Sequence, residues 1–90
     1  MSDKVFTEGS INARIAIITH MARFGGQKEA ATIAKLSGDD NWRIRARAAK
    51  CLAWMAPLSL PVLKDAVNSD TENIRIAALQ ALHTTGIQIR

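Results

Sequence analysis

Ninety residues with 12 Lys and Arg against 8 Asp and Glu make one domain's worth of chain, with a formal charge of +4 and a pI near 9.9. Hydrophobic residues reach 48% while aromatics stop at 4% with no Tyr, which excludes a disordered chain and disfavours an aromatic-rich β-sandwich. The single cysteine, Cys51, excludes an internal disulfide framework, and its neighbours Ala48, Ala49, Leu52 and Ala53 suit a small buried residue in a reducing compartment.

In chain order, Met1–Glu8 contains no apolar core of signal length, and no run reaches the ~18 residues of a membrane span. The expected address is the cytoplasm. Residues 1–9 read as an N-terminal arm on a single domain covering 1–90. Five helices are predicted, at about 10–24, 27–37, 41–56, 59–68 and 71–84. Gly25-Gly26, Gly38-Asp39-Asp40 and Gly86 separate or end them. Pro57 closes the third helix, and Pro61 suits the first turn of the fourth, where a missing N–H costs nothing. Asp70 or Thr71 is the expected N-cap of the last.

The chain repeats itself. Asp40-Asn41-Trp42-Arg43-Ile44-Arg45 through Leu52 lies 30 residues before Asp70-Thr71-Glu72-Asn73-Ile74-Arg75 through Leu82, with Asp, Ile, Arg, Ala and Leu matching in place. A weaker third copy fits 31 residues earlier, setting Arg14 against Arg45, Ile17 and Ile18 against Ala48 and Ala49, and Met21 against Leu52. Ile44, Ala48, Cys51, Leu52 and Met55 fall on one helical face, as do Ile74, Ala78, Ala81 and Leu82.

The pattern Asp–x4–Ile–Arg–x2–Ala–(Ala/Leu)–x–(Ala/Cys)–Leu resembles the second helix of HEAT repeats, especially the short type also found in phycobilisome lyases. Pro61 through Val67 is similar to the first helix of the same unit. The resemblance covers roughly residues 12–86. It implies an all-α fold: a short right-handed α-α superhelix, or HEAT-like solenoid, of about five helices in two and a half repeats. It also implies a ladder in which Asp40 and Asp70 pair with Arg45 and Arg75. The first copy lacks the acidic member, and the usual glycine after the final Leu is replaced by Ala53 and His83. One such helix pair cannot bury its own apolar face, so units must stack. Val5, Phe6, Ile87 and Ile89 then stand at the two ends, as folded-back covers or as contacts for another chain, and a dimer or larger complex is expected.

Arg43, Arg47, Lys50 and Trp54 recur at i, i+4, i+7 and i+11, making a basic stripe tipped by an indole beside the apolar face of the third helix. The equivalent positions are Asn12, Ala16, Thr19 and Arg23 in the first helix and Asn73, Ala77, Gln80 and Thr84 in the fifth, so basic character is concentrated mid-chain. The plain alternative is a solvated helix face with Trp54 lying on Arg stems. Trp42 at a helix start suits packing between repeats.

No catalytic, cofactor-binding or metal constellation stands out. His20 and His83 lie on different helices without other ligands at suitable spacing, Cys51 has no evident base, and Gly25-Gly26 is too short for a phosphate loop. The leading expectation is a non-enzymatic adaptor module. It binds an acidic or amphipathic protein segment through Arg43, Arg47, Lys50, Trp54 and Arg23. The alternative is nucleic-acid binding, with the same stripe on the phosphate backbone. A lyase or glycosylase of the HEAT-like type is a remoter third reading, for which the chain is short.

Overall fold

The structure, a computed structural model, describes residues 8–86. It contains five helices and, among the described residues, no strand: α1 (Glu8–Phe24), α2 (Gln27–Leu36), α3 (Trp42–Trp54), α4 (Leu60–Ala66) and α5 (Glu72–Thr85). The expected elements are all present, with ends shifted by at most two residues. The expected arm loses Glu8 and Gly9 to α1, and its remainder, with Val5 and Phe6, lies outside the described residues, as do Ile87 and Ile89.

Local chemistry accounts for the ends. The Glu29 carboxylate reaches back to accept the Gly26 N–H at 2.7 Å, the carboxylate half of a capping box, since glycine has no side chain to return the bond. Asn41 caps α3 by accepting the Arg43 and Ile44 N–H groups. Pro61 sits in the first turn of α4 as expected. Thr71 occupies the N-cap of α5 but its side chain makes no cap bond. Gly86 closes α5 in the left-handed conformation at φ 73°, which only glycine adopts without cost.

Helices α1, α3 and α5 lie side by side in one layer, and α2 and α4 form the second, packed on it and on each other. Ile18, Ile33, Ile44, Leu52 and Leu63 are the largest fully buried side chains, and they join one aliphatic cluster with Ala30, Ala48, Ala78 and Ala81. Phe24, Trp42 and Trp54 all stand largely in water, at 72%, 67% and 63% exposure. Trp42 is therefore not the packing residue expected between repeats: it is the first residue of α3 and lies off the face that meets the core.

The 30-residue repeat is reproduced in the bonding of the two turns. Asn41 N–H donates to Asp39 Oδ1, and Thr71 N–H donates to Ser69 Oγ. Arg45 Nη1 donates to the Asp39 carbonyl at 2.9 Å and the Asp40 carbonyl at 2.8 Å, and Arg75 Nη1 donates to the Ser69 carbonyl at 2.8 Å. The expected carboxylate ladder is thus corrected. Each guanidinium folds back onto main-chain carbonyls of the turn that precedes its own helix, while Asp40 and Asp70 remain exposed. Arg14 does find an acid, in the next unit: its Nη2 lies 3.0 Å from Asp39 Oδ2.

The first copy also sits in a different register. Aligned 31 residues ahead, Ile17 would match the buried Ala48, yet it is 58% exposed. Ile11, Ile15, Ile18 and Ala22 face the core instead, matching Ile44, Ala48, Cys51 and Met55 at an offset of 33. Core contact outranks the local Arg match, because burial stabilises by roughly 25 cal/mol per Å² of apolar surface.

Candidate functional groove

Each of α1, α3 and α5 has one face on the core and must present the other to solvent. These three helices carry no acidic residue beyond Glu8 and Glu72 at their first positions. The acids of the described chain lie otherwise on α2, on α4 and in the turns, whereas Arg14, Arg23, Arg43, Arg45, Arg47, Lys50 and Arg75 all belong to the α1–α3–α5 layer. Among the described residues, the exposed large apolar side chains follow the same division. Ile17, Phe24, Trp42, Trp54, Ile76 and Leu79 are on this layer, Leu58 is in a turn, and none is on α2 or α4. One layer therefore carries both the described arginines and most of the exposed large apolar side chains.

Between α1 and α3 this face sinks into a groove of about 350 Å³ lined by Thr19, Ala22, Arg23, Arg47, Lys50, Cys51 and Trp54. Four residues expected to act together, Arg23, Arg47, Lys50 and Trp54, meet here from two helices. Arg43 does not line it. Its Nη2 donates to Asn12 Oδ1 at 2.7 Å, bridging α3 to α1 farther toward their N-termini. Thr19 donates to the Ile15 carbonyl within its own helix, so its side chain is held in place at the groove wall. At the end of α1 the Arg23 guanidinium stands 5.8 Å from the Phe24 ring centroid, and the His20 ring tilts against the same Phe at 4.8 Å.

The floor was not anticipated as part of a site. Ala22 and the Cys51 thiol supply it, and only the contact of α1 with α3 brings them together. Burial pushes the Cys51 thiol up, outweighing the opposing pull of the Arg47 charge, the Thr19 side chain and the Lys50 charge. A protonated thiol is a small apolar floor element and a poor nucleophile. Among the described residues no group of His, Cys, Asp and Glu is placed to hold a metal ion, and no helix is long and apolar enough to cross a membrane.

A second depression of about 540 Å³ runs between α3 and α5, lined by Ala46, Ala49, Leu79, Gln80, Ala81, His83 and Thr84. No Lys, Arg, Asp or Glu lines it, so the three cations of the first groove have no counterpart in the second.

Helix pairs piled so that like positions occur on like faces, with one layer left open as a grooved surface, define an α-solenoid of short repeats. A family model for HEAT repeats matches residues 3–83, and the chain belongs to the HEAT-repeat family. HEAT repeats commonly mediate protein–protein interaction, and the family is generally one of non-catalytic scaffolds. The search of curated proteins returned no match, and neither did the search of solved structures.

Proposed function

We propose that the chain is a non-enzymatic adaptor, acting in the cytoplasm, that binds an acidic segment of another protein in the groove between α1 and α3. The observation that carries this reading is the convergence of Arg23, Arg47, Lys50 and Trp54 on one apolar-floored groove without a carboxylate in its lining. Carboxylates of the partner meet the three cations, and an apolar side chain between them rests on Ala22 and Cys51 beside the Trp54 indole. Trp and Arg are the residue types most often found to dominate binding energy at interfaces. Three cations line this groove and none lines the α3–α5 depression, which favours a short acidic segment over a phosphate backbone tracked along the stack.

The test compares affinity capture by the natural chain with capture by the Arg47→Glu, Trp54→Ala double variant. A partner held by the first and lost by the second is the expected result, and one retained undiminished overturns the reading. Labelled duplex and single-stranded DNA titrated at two salt concentrations complete the test. Binding at about micromolar or tighter that falls steeply with salt would assign the groove to phosphates instead.

A further inference from the structure

The two depressions on the open face differ in chemistry and share α3 as their common wall. The first is rimmed by Arg23, Arg47 and Lys50, and the second is uncharged with the side chain of Leu79, 58% exposed, at its edge. What separates them is the strip of α3 where Ala46, Lys50 and Ala53 follow at i, i+4 and i+7, the first two exposed and Ala53 half-buried against the core. Two of those three side chains are single methyl groups, so a chain can pass over α3 on either side of the Lys50 stem.

Resting on the interaction reading above, we propose that the partner is bipartite: an extended acidic–aliphatic segment that crosses α3, with carboxylates in the α1–α3 groove and an aliphatic side chain in the α3–α5 groove. The charge pattern sets its polarity. Carboxylates are attracted to the first groove, whereas in the second they would be desolvated against alanine and Leu79 with no cation among the lining residues to compensate. Helix spacing sets its length. Neighbouring packed helices lie about 8–10 Å apart, and the two grooves are one such interval apart. An extended chain covers this in about three residues at roughly 3.3 Å each. The acidic block and the aliphatic anchor of the partner are therefore separated by about three residues.

The probe is a set of labelled Gly-Ser peptides carrying a glutamate block and a leucine pair, with the blocks adjacent, about three residues apart or about eight apart, together with a peptide carrying glutamates alone. Fluorescence anisotropy is expected to show tightest binding at the middle spacing, weakened about tenfold at either extreme. Leu79→Ser combined with Ala46→Gln alters only exposed positions, and retention of the fold is checked by circular dichroism. This pair should lower binding of the middle-spaced peptide about tenfold, to the level of the glutamate-only peptide, whose own binding stays unchanged. Arg47→Glu should weaken both peptides. If the middle-spaced peptide binds no better than glutamates alone, or ignores the Leu79 and Ala46 changes while still responding to Arg47→Glu, the second groove is overturned and the first stands. If Arg47→Glu leaves both peptides unaffected, the first groove falls as well.

Discussion

Asp39 Oδ2 accepts the Arg14 guanidinium at 3.0 Å while Asp39 Oδ1 accepts the Asn41 N–H at 2.8 Å, so one carboxylate closes the turn of its own unit and ties α1 to it. In the following unit Ser69 makes the turn bond with its hydroxyl. The two functions therefore come apart by substitution. Asp39→Ser should keep the turn and lose only a half-exposed ion pair, costing about 0.2–1 kcal/mol in urea unfolding. Asp39→Ala should lose both and cost about 1–2 kcal/mol more, because a main-chain donor in the turn is left without its partner. Asp40→Ala, at an exposed position, should stay within about 0.5 kcal/mol of the parent.

Adjacent glycines should respond differently. A Cβ built on Gly25 would stand 2.6 Å from the Met21 carbonyl oxygen and 2.4 Å from Glu29 Cβ, and main chain cannot yield cheaply at that distance. A Cβ on Gly26 meets nothing within 4 Å. Gly25→Ala should destabilise by about 1–3 kcal/mol. Gly26→Ala should be tolerated, within about 0.5 kcal/mol of the parent, because the lower entropy of the unfolded chain offsets the poorer N-cap that alanine makes. Thermal unfolding of both single variants decides the contrast.

Ser59 is fully buried, and its hydroxyl donates to the Leu52 carbonyl at 2.6 Å, joining the end of α3 to the start of α4. Ser59→Ala leaves that carbonyl unpaired in the core and should cost about 1–3 kcal/mol, measurable as a lower denaturant midpoint.

The raised Cys51 thiol gives a pH dependence of defined sign. The folded chain keeps this proton above the ordinary value of 9.0, where the unfolded chain has released it. In that window the native state binds more protons, so the contribution is intact below pH 9.0 and is lost as the pH climbs through the folded value. Unfolding free energy should fall between neutral and strongly alkaline pH, less so in Cys51→Ala. Glu29 works in the other direction. The Gly26 N–H and its own N–H hold its carboxyl below the ordinary 4.5, so its contribution is present above that value and fades on acidification. Glu29→Gln should flatten the acid limb.

Much of the fold was legible because repetition marks equivalent positions twice. Ile44 and Ile74, Arg45 and Arg75, and Leu52 and Leu82 stand 30 apart and sit alike on their helices. The register of α1 was not legible, since Arg14 offered a match at one offset and the Ile11, Ile15, Ile18 and Ala22 stripe at another. Only the second satisfies the core. The ladder was misread for a related reason. Sequence matching compares side chains, whereas Arg45 and Arg75 bond main-chain carbonyls, which every residue possesses. Of the groove, Arg47, Lys50, Trp54 and Arg23 could be read from helical spacing. Thr19, Ala22 and Cys51 became part of it through the packing of two helices, which no single-helix pattern encodes.

Because the core is aliphatic and both tryptophans stand in water, the indoles are poor reporters of folding and good reporters of occupancy. Their emission should change little between the native and denatured chain. A ligand that covers Trp54 in the groove shields one fluorophore from solvent and leaves Trp42, at the opposite end of α3, as a built-in internal standard. The natural chain thus carries its own label for the surface on which its activity is proposed to depend.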